Sequence, residues 1–289
     1  MVLALGVGAT TAVFSLVNGI LLEPLPFPDP ERLVRLTHTV RDGSAAMVDQ
    51  SDASVMLYQS DARAFDGVAA WRFDNGILGP SEPGQTAIRA RGARVTSNFF
   101  DVMGVHPALG RAFAPGEDRP GANRVVVLSH RLWQQQLHGD PNALGRQLVV
   151  NDVPRTIVGI MPRHFAYPAS HVELWIPLAR DPANSRTFDL VGIARLRRGV
   201  SLASAQADLA RTIGAGSPVA SAQSQLVPQV QSLQDSIVGP VSQLLWLVFA
   251  GVVLVLQVAC TNVAGLFLLR AERMQLELAV RGALGSGLG

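Results

Sequence analysis

A chain of 289 residues with 48% apolar side chains and a formal charge of +2 is apolar for a soluble protein, and its scattered basic residues form no nucleic-acid footprint. All 24 basic side chains are Arg, so a Walker-type phosphate loop and Schiff-base catalysis, which both need Lys, are excluded. The only Cys is Cys260, so a domain outside the cytoplasm would fold without disulfides and depend on its core.

Met1 to Leu22 is free of charge. It has no basic flank, and Asn18-Gly-Ile-Leu-Leu-Glu is a poor cleavage site, so an uncleaved membrane helix over residues 1–22 is expected. Glu23, Asp29 and Glu31 on its exit side agree with an outward C-terminal end. Gly8 begins a small-residue stretch, Gly8-Ala-Thr-Thr-Ala, suited to close helix packing.

Pro24, Pro26, Pro28 and Pro30 forbid continuation of the helix and open an extracytoplasmic domain expected over residues 23–240. Leu33 to Val40 alternates as a strand, with Val34, Leu36 and Val40 on one face. Ser51 or Asp52 is placed to cap a helix running through Phe65. Val68 to Leu78 and Gln85 to Val95 read as strands, and Thr96 to Gly104 as a compact helix with a hydroxyl cap in front.

Val125 to Leu128 reads as a buried strand, followed by a helix capped by Ser129 that stops at Gly139. Gln147 to Val150, Asn151-Asp152 and Pro154 to Met161 spell strand, tight turn, strand. Val172 to Leu178 and Phe188 to Leu196 are further strands. Ser201 opens a helix with Leu202, Ala205, Leu209 and Ile213 on one side, and Gln225 to Leu233 is the last strand. This mixture without strict βαβ alternation makes the class α+β, with two lobes, one inserted over about residues 94–180.

Leu244 to Leu269 carries no ionisable group except the Cys260 thiol, and as a helix would be about 39 Å long, enough to cross about 30 Å of hydrocarbon. A second span is therefore expected over residues 241–269. Arg270, Glu272 and Arg273 follow at once, which places residues 270–289 in the cytoplasm as an amphipathic helix. Gln257, Thr261 and Asn262 are polar positions within the span that would hydrogen-bond to a neighbouring helix; no acid or base there marks an ion path.

The chain resembles a MacB/FtsX-type ABC transporter permease, most closely the branch of acidobacterial duplicated orphan permeases. The resemblance is carried by Ala4-Leu-Gly-Val-Gly-Ala-Thr-Thr-Ala-Val-Phe-Ser, Leu21-Leu-Glu-Pro-Leu-Pro-Phe-Pro and Val95-Thr-Ser-Asn-Phe-Phe-Asp-Val-Met-Gly-Val. Val127-Leu-Ser-His-Arg-Leu-Trp, Ile157-Val-Gly-Ile-Met-Pro, Leu174-Trp-Ile-Pro-Leu, Cys260-Thr-Asn-Val-Ala-Gly-Leu and Glu277-Leu-Ala-Val-Arg-Gly-Ala-Leu-Gly extend it.

It implies a MacB-like periplasmic core domain between two helices of a multi-pass permease in the bacterial inner membrane. That permease would work as an efflux or export subunit with a separate ABC ATPase subunit that binds the ATP, and it would itself hold no cofactor. A homo- or hetero-dimer of permease chains and a periplasmic adaptor are further implied partners. The resemblance assigns ATPase contact to the cytoplasmic helix, through Arg273, Leu276, Glu277, Val280 and Arg281. It also implies two more spans and a basic lead-in, so these residues are expected to be a fragment, a split permease or a misread frame.

No catalytic or metal-binding constellation stands out. His130 with His138, and His164 with His171, lack the spacing of a ligand set, and Ser129 is better used as a helix cap than as a nucleophile. The alternative to a transporter subunit is an FtsX-like scaffold whose outer domain regulates a periplasmic enzyme; an anchored enzyme ranks third.

Overall fold

A computed structural model describes residues 8, 10–15, 25–41, 47–79, 87–181, 187–214 and 226–283. The chain divides into two compact units, Leu25–Ser236 and a second made of Met1–Pro24 with Ile237–Gly289.

In the first unit the strands are β1 (Leu33–Val40), β2 (Met47–Val48), β3 (Phe65–Leu78), β4 (Ile88–Val95), β5 (Leu109–Gly110) and β6 (Val125–Leu128). They continue as β7 (Gln147–Val150), β8 (Val153–Ile160), β9 (Leu174–Pro177), β10 (Val191–Leu196) and β11 (Leu226–Ser232). They form one sheet in the order β11-β1-β10-β3-β4-β9-β6-β8-β5, with β2 on β1 and β7 bridging β3 and β8. β4 with β9 and β6 with β8 are parallel; the other pairs are antiparallel. The helices are α1 (Asp52–Asp61), α2 (Phe99–Met103), α3 (His130–Leu137), α4 (Leu202–Gly214) and α5 (Leu233–Ala283).

Both faces of the sheet around β1 are covered, so β1 does not follow the one-sided alternation expected of it. Val34 and Leu36 join α1 and α4 in a core with Tyr58, Leu209 and Ile213. Leu33 points the other way, into an aromatic core with Trp71, Phe99, Phe100, Tyr167 and Trp175. A third core packs α3 against β6, β7 and β8 through Leu132, Leu148 and Ile157.

Local chemistry sets the ends of the elements. Ser51 and Ser54 form a reciprocal capping box at the start of α1, which ends at Asp61; Phe65 starts β3 rather than closing the helix. Thr96 does not cap α2. Its hydroxyl instead accepts from the Ala70 amide at 3.2 Å across the sheet, while Gly104 ends the helix at φ 71. Ser129 does cap α3, accepting from the Leu132 amide at 3.1 Å. Asn151 and Asp152 both have positive φ, 51 and 59, the geometry of a two-residue type I′ hairpin between β7 and β8. Leu202 of α4 is exposed while Ala205, Leu209 and Ile213 are buried.

A polar network is sealed between β1 and α1. His38, fully buried, places Nε2 2.9 Å from the Tyr58 hydroxyl and Nδ1 3.3 Å from the Asp49 carbonyl. A carbonyl only accepts, so Nδ1 carries the proton and Nε2 accepts from Tyr58. Burial holds the His38 pKa below its ordinary 6.5, against the opposing pull of Asp49.

In the second unit, residues 10–15 are helical and Phe14 meets Phe249 of α5, ring centres 6.3 Å apart. Leu245–Gly265 has a mean hydropathy of 2.2 and is long and apolar enough to cross a membrane. α5 continues from it to Ala283 without a break, so the expected charged helix is an extension of the span in the same helix. Apart from residues 8 and 10–15, the expected first span lies outside the described residues.

Candidate functional site

The place where the chain enters and leaves the Leu25–Ser236 unit is a polar site built from several elements. β1 and β11 are neighbours in register, with Val34 opposite Ser232, so entry and exit lie side by side. Leu25 and Phe27 on the entry side and Leu233 on the exit side belong to the same aromatic core. Phe27 meets Phe165 and Tyr167 edge-on, at 6.2 and 5.9 Å. Asp29, at φ 45, then turns the chain into a 3-10 turn over Pro30–Arg32, with Pro30 supplying the fixed φ such a turn needs.

Arg195 clamps this entry. Along β10, Val191 and Ile193 face the aromatic core, and two residues on Arg195 occupies the same face. Its Nε donates to the Val102 carbonyl at 2.8 Å, and Nη1 donates to the carbonyls of Pro28 at 2.9 Å and Asp29 at 3.4 Å. The residue is 9% exposed, and among the described residues Nη2 is buried without a partner. Burial lowers its pKa, with neighbouring Arg32 adding to the effect; a guanidinium stays charged regardless. One side chain thus ties the entry loop, the end of α2 and β10 together. A register shift between Arg195 and Leu196 against β3 marks the same point.

Around the clamp the charges are matched. Arg32 donates to the Leu196 carbonyl at 2.9 Å and to Asp29 at 3.0 Å, and also bonds Asp66. Arg197 donates to the Phe65 carbonyl at 3.1 Å and lies 4.0 Å from Asp66, while Arg198 reaches Asp29 at 3.7 Å. A cleft of ≈ 510 Å³ lined by Gln59, Arg63, Asn98, Arg180 and Arg197 shares Asp66, Gly67 and Asn98 with a second of ≈ 270 Å³ lined by Asp101 and Arg195. These groups hold backbone and one another in place.

The expected site residues are placed elsewhere. Gly8 is exposed, and a side chain there would meet nothing within 4 Å. Gln257, Thr261 and Asn262 are exposed on α5, with the Thr261 hydroxyl donating to the Gln257 carbonyl at 2.9 Å. Arg273, Leu276, Glu277, Val280 and Arg281 lie in the backbone of α5, and their side chains fall outside the described residues. Among the described residues, no three His, Cys, Asp or Glu side chains could hold one metal ion. His130 packs edge-on to Trp133 at 5.4 Å beside the capping Ser129.

Sequence reasoning missed Arg195. The signal was present, as a charged residue on the apolar phase of the Val191, Ile193, Arg195 alternation.

Residues 1–212 match the family described as MacB-like periplasmic core domain. Over 95 residues the chain is 32% identical to the macrolide export ATP-binding/permease protein MacB of Chromobacterium violaceum, covering 32% of this chain and 14% of that protein. Over 85 residues it is 31% identical to the Probable syringafactin export ATP-binding/permease protein SyfD of Pseudomonas syringae pv. tomato, covering 29% of this chain and 13% of that protein. The alignments thus span under a fifth of either relative.

The fold is similar to the crystal structure of the periplasmic region of MacB from Actinobacillus actinomycetemcomitans, with TM-score 0.50 and 16% identity, covering 78% of this chain and 95% of that one. A family match across most of the chain, on a mixed sheet of this architecture, makes the chain a member of the MacB-like periplasmic core domain family.

Proposed function

We propose that this chain is a permease portion of an ABC-type exporter in the bacterial inner membrane, and that ATPase-driven motion reaches its periplasmic domain at the Arg195 junction. The observation that carries this reading is convergence: Leu25, Phe27 and Leu233, on the two connections to the remaining chain, share one core, and Arg195 locks the entry loop onto it. A pull on either connection is then a pull on a rigid aromatic cluster rather than on a loose linker. The names of both relatives join export with ATP binding and permease function, which supports the class of machine but specifies no substrate for this chain.

ATP would be bound by a separate ATPase subunit, gripping α5 through Arg273, Leu276, Glu277, Val280 and Arg281. Gln257, Thr261 and Asn262 would meet other helices of the permease, within a homo- or hetero-dimer. An amide left bare in hydrocarbon is costly, and interhelical hydrogen bonds of this kind are worth about 0.6 to 2 kcal/mol each.

Because Cys260 is the one cysteine of the sequence, a single replacement clears the background for labelling. In a Cys260→Ser background, Arg198→Cys at the junction takes an environment-sensitive fluorophore, and the chain is reconstituted with its ATPase. ATP should shift the emission; Arg195→Met should abolish the shift while ATP hydrolysis continues; Glu277→Arg with Arg281→Glu should abolish ATPase binding while membrane insertion persists. An emission blind to ATP in the bound complex defeats the junction, and unchanged binding by the charge-reversed chain defeats the ATPase contact.

A further inference from the structure

Beyond residue Arg72, the β3–β4 hairpin has one covered face and one open face. Gly76, Leu78 and Ala90 are buried, the last two in the core beneath α3. On the opposite face Phe73 is 53% and Ile77 56% exposed, and Val149 beside Gly79 extends the apolar stripe. Across the pair, Arg91 stands opposite Asn75 and Arg89 opposite Ile77. Both arginines are exposed, and among the described residues neither guanidinium has a carboxylate within ion-pair distance. Most other arginines of this unit are paired: Arg94 with Asp74, Arg72 with Asp189 and Arg131 with Glu173 lie close by.

We propose that this face is a docking surface for an acidic, apolar-faced polypeptide segment of a partner protein. Two exposed apolar side chains four residues apart on a strand span about 14 Å, and the two arginines lie about 7 Å apart along the neighbouring strand. A helical segment with apolar residues about two and a half turns apart and acids at i and i+4 matches both spacings. Large apolar groups ringed by unmatched charge of one sign mark an interaction surface, and the sign dictates the partner's.

Two other occupants fit less well. A second copy using the same face would bring four guanidinium groups together. The residues joining the strands, Pro80-Ser-Glu-Pro-Gly-Gln-Thr, contain no large apolar side chain with which to cover Phe73 and Ile77.

The probe is a phage-displayed library of random dodecapeptides, selected on the full chain in nanodiscs. Wild-type protein should enrich peptides with paired Asp or Glu and two apolar residues. Phe73→Ser with Ile77→Ser should weaken their binding at least tenfold, and Arg89→Glu with Arg91→Glu should invert the preference to basic peptides. All four positions are exposed, and an unchanged melting temperature verifies that the variants fold. Enrichment without acidic bias, or a preference unchanged by charge reversal, overturns the proposal. So does binding of nanodisc-free protein to phosphatidylglycerol vesicles in place of peptide, or dimerisation lost with Phe73→Ser.

Discussion

His38 shows how a single residue ties stability to pH. Its imidazole is held neutral between the Tyr58 hydroxyl and the Asp49 carbonyl, and burial keeps its folded pKa below 6.5. In the unfolded chain the same ring protonates near 6.5, so below that pH the unfolded state binds more protons and the folded state loses ground. Stability is full above about pH 6.5 and declines as pH falls toward the folded pKa, each unit of separation being worth about 1.4 kcal/mol. The melting temperature at pH 5.5 should lie below that at pH 7.5. His38→Gln, which keeps an acceptor for Tyr58 but does not titrate, should flatten that slope; an unchanged slope would move the origin of the pH dependence elsewhere. Arg195 makes a different point at this scale: burying a charge is costly, and here carbonyls of the entry loop and of α2 offset that cost by hydrogen bonding, which couples the position of those segments to the side chain.

At the scale of elements, the β7–β8 hairpin displays chemistry that was legible residue by residue. Asn151-Asp152 between two apolar strands reads as a tight turn, and both residues adopt positive φ. The Asn151 side chain also accepts from the Ile77 amide at 2.8 Å, stitching the turn to β3. Asp152→Gly should raise stability by roughly 0.5 to 1 kcal/mol by relieving a non-glycine left-handed residue, whereas Asn151→Ala should lower it by about 1 to 2 kcal/mol through the lost bond. Urea denaturation of both variants tests the pair, and equal effects would contradict the separate roles.

Other elements depart from their local pattern for tertiary reasons. The apolar spacing of Ala62 and Phe65 would extend the helix of Asp52–Asp61 to Phe65. Instead Phe65 is captured by β10, opposite Leu196. Thr96 reads as a cap, but its hydroxyl serves the Ala70 amide across the sheet.

For the whole molecule, the Leu25–Ser236 unit contains its own hydrophobic cores, with Trp71 and Trp175 buried in one of them. Residues 25–236 expressed alone should fold into a soluble domain that unfolds cooperatively, with a near-ultraviolet signal from those two tryptophans. A non-cooperative, molten transition would show that the remaining chain is part of the fold.

The sequence by itself determined the α+β class, the uncharged apolar run from Leu244 to Leu269, the Ser129 cap and a tight turn at Asn151-Asp152, because each is written in the spacing or turn chemistry of neighbouring residues. Only the tertiary structure decided that β1 is covered on both faces, that entry and exit lie side by side, and that Arg195 reaches Pro28 and Val102. Those contacts join residues more than ninety positions apart, and strand order is set by which faces bury together, a property that no local window of sequence contains.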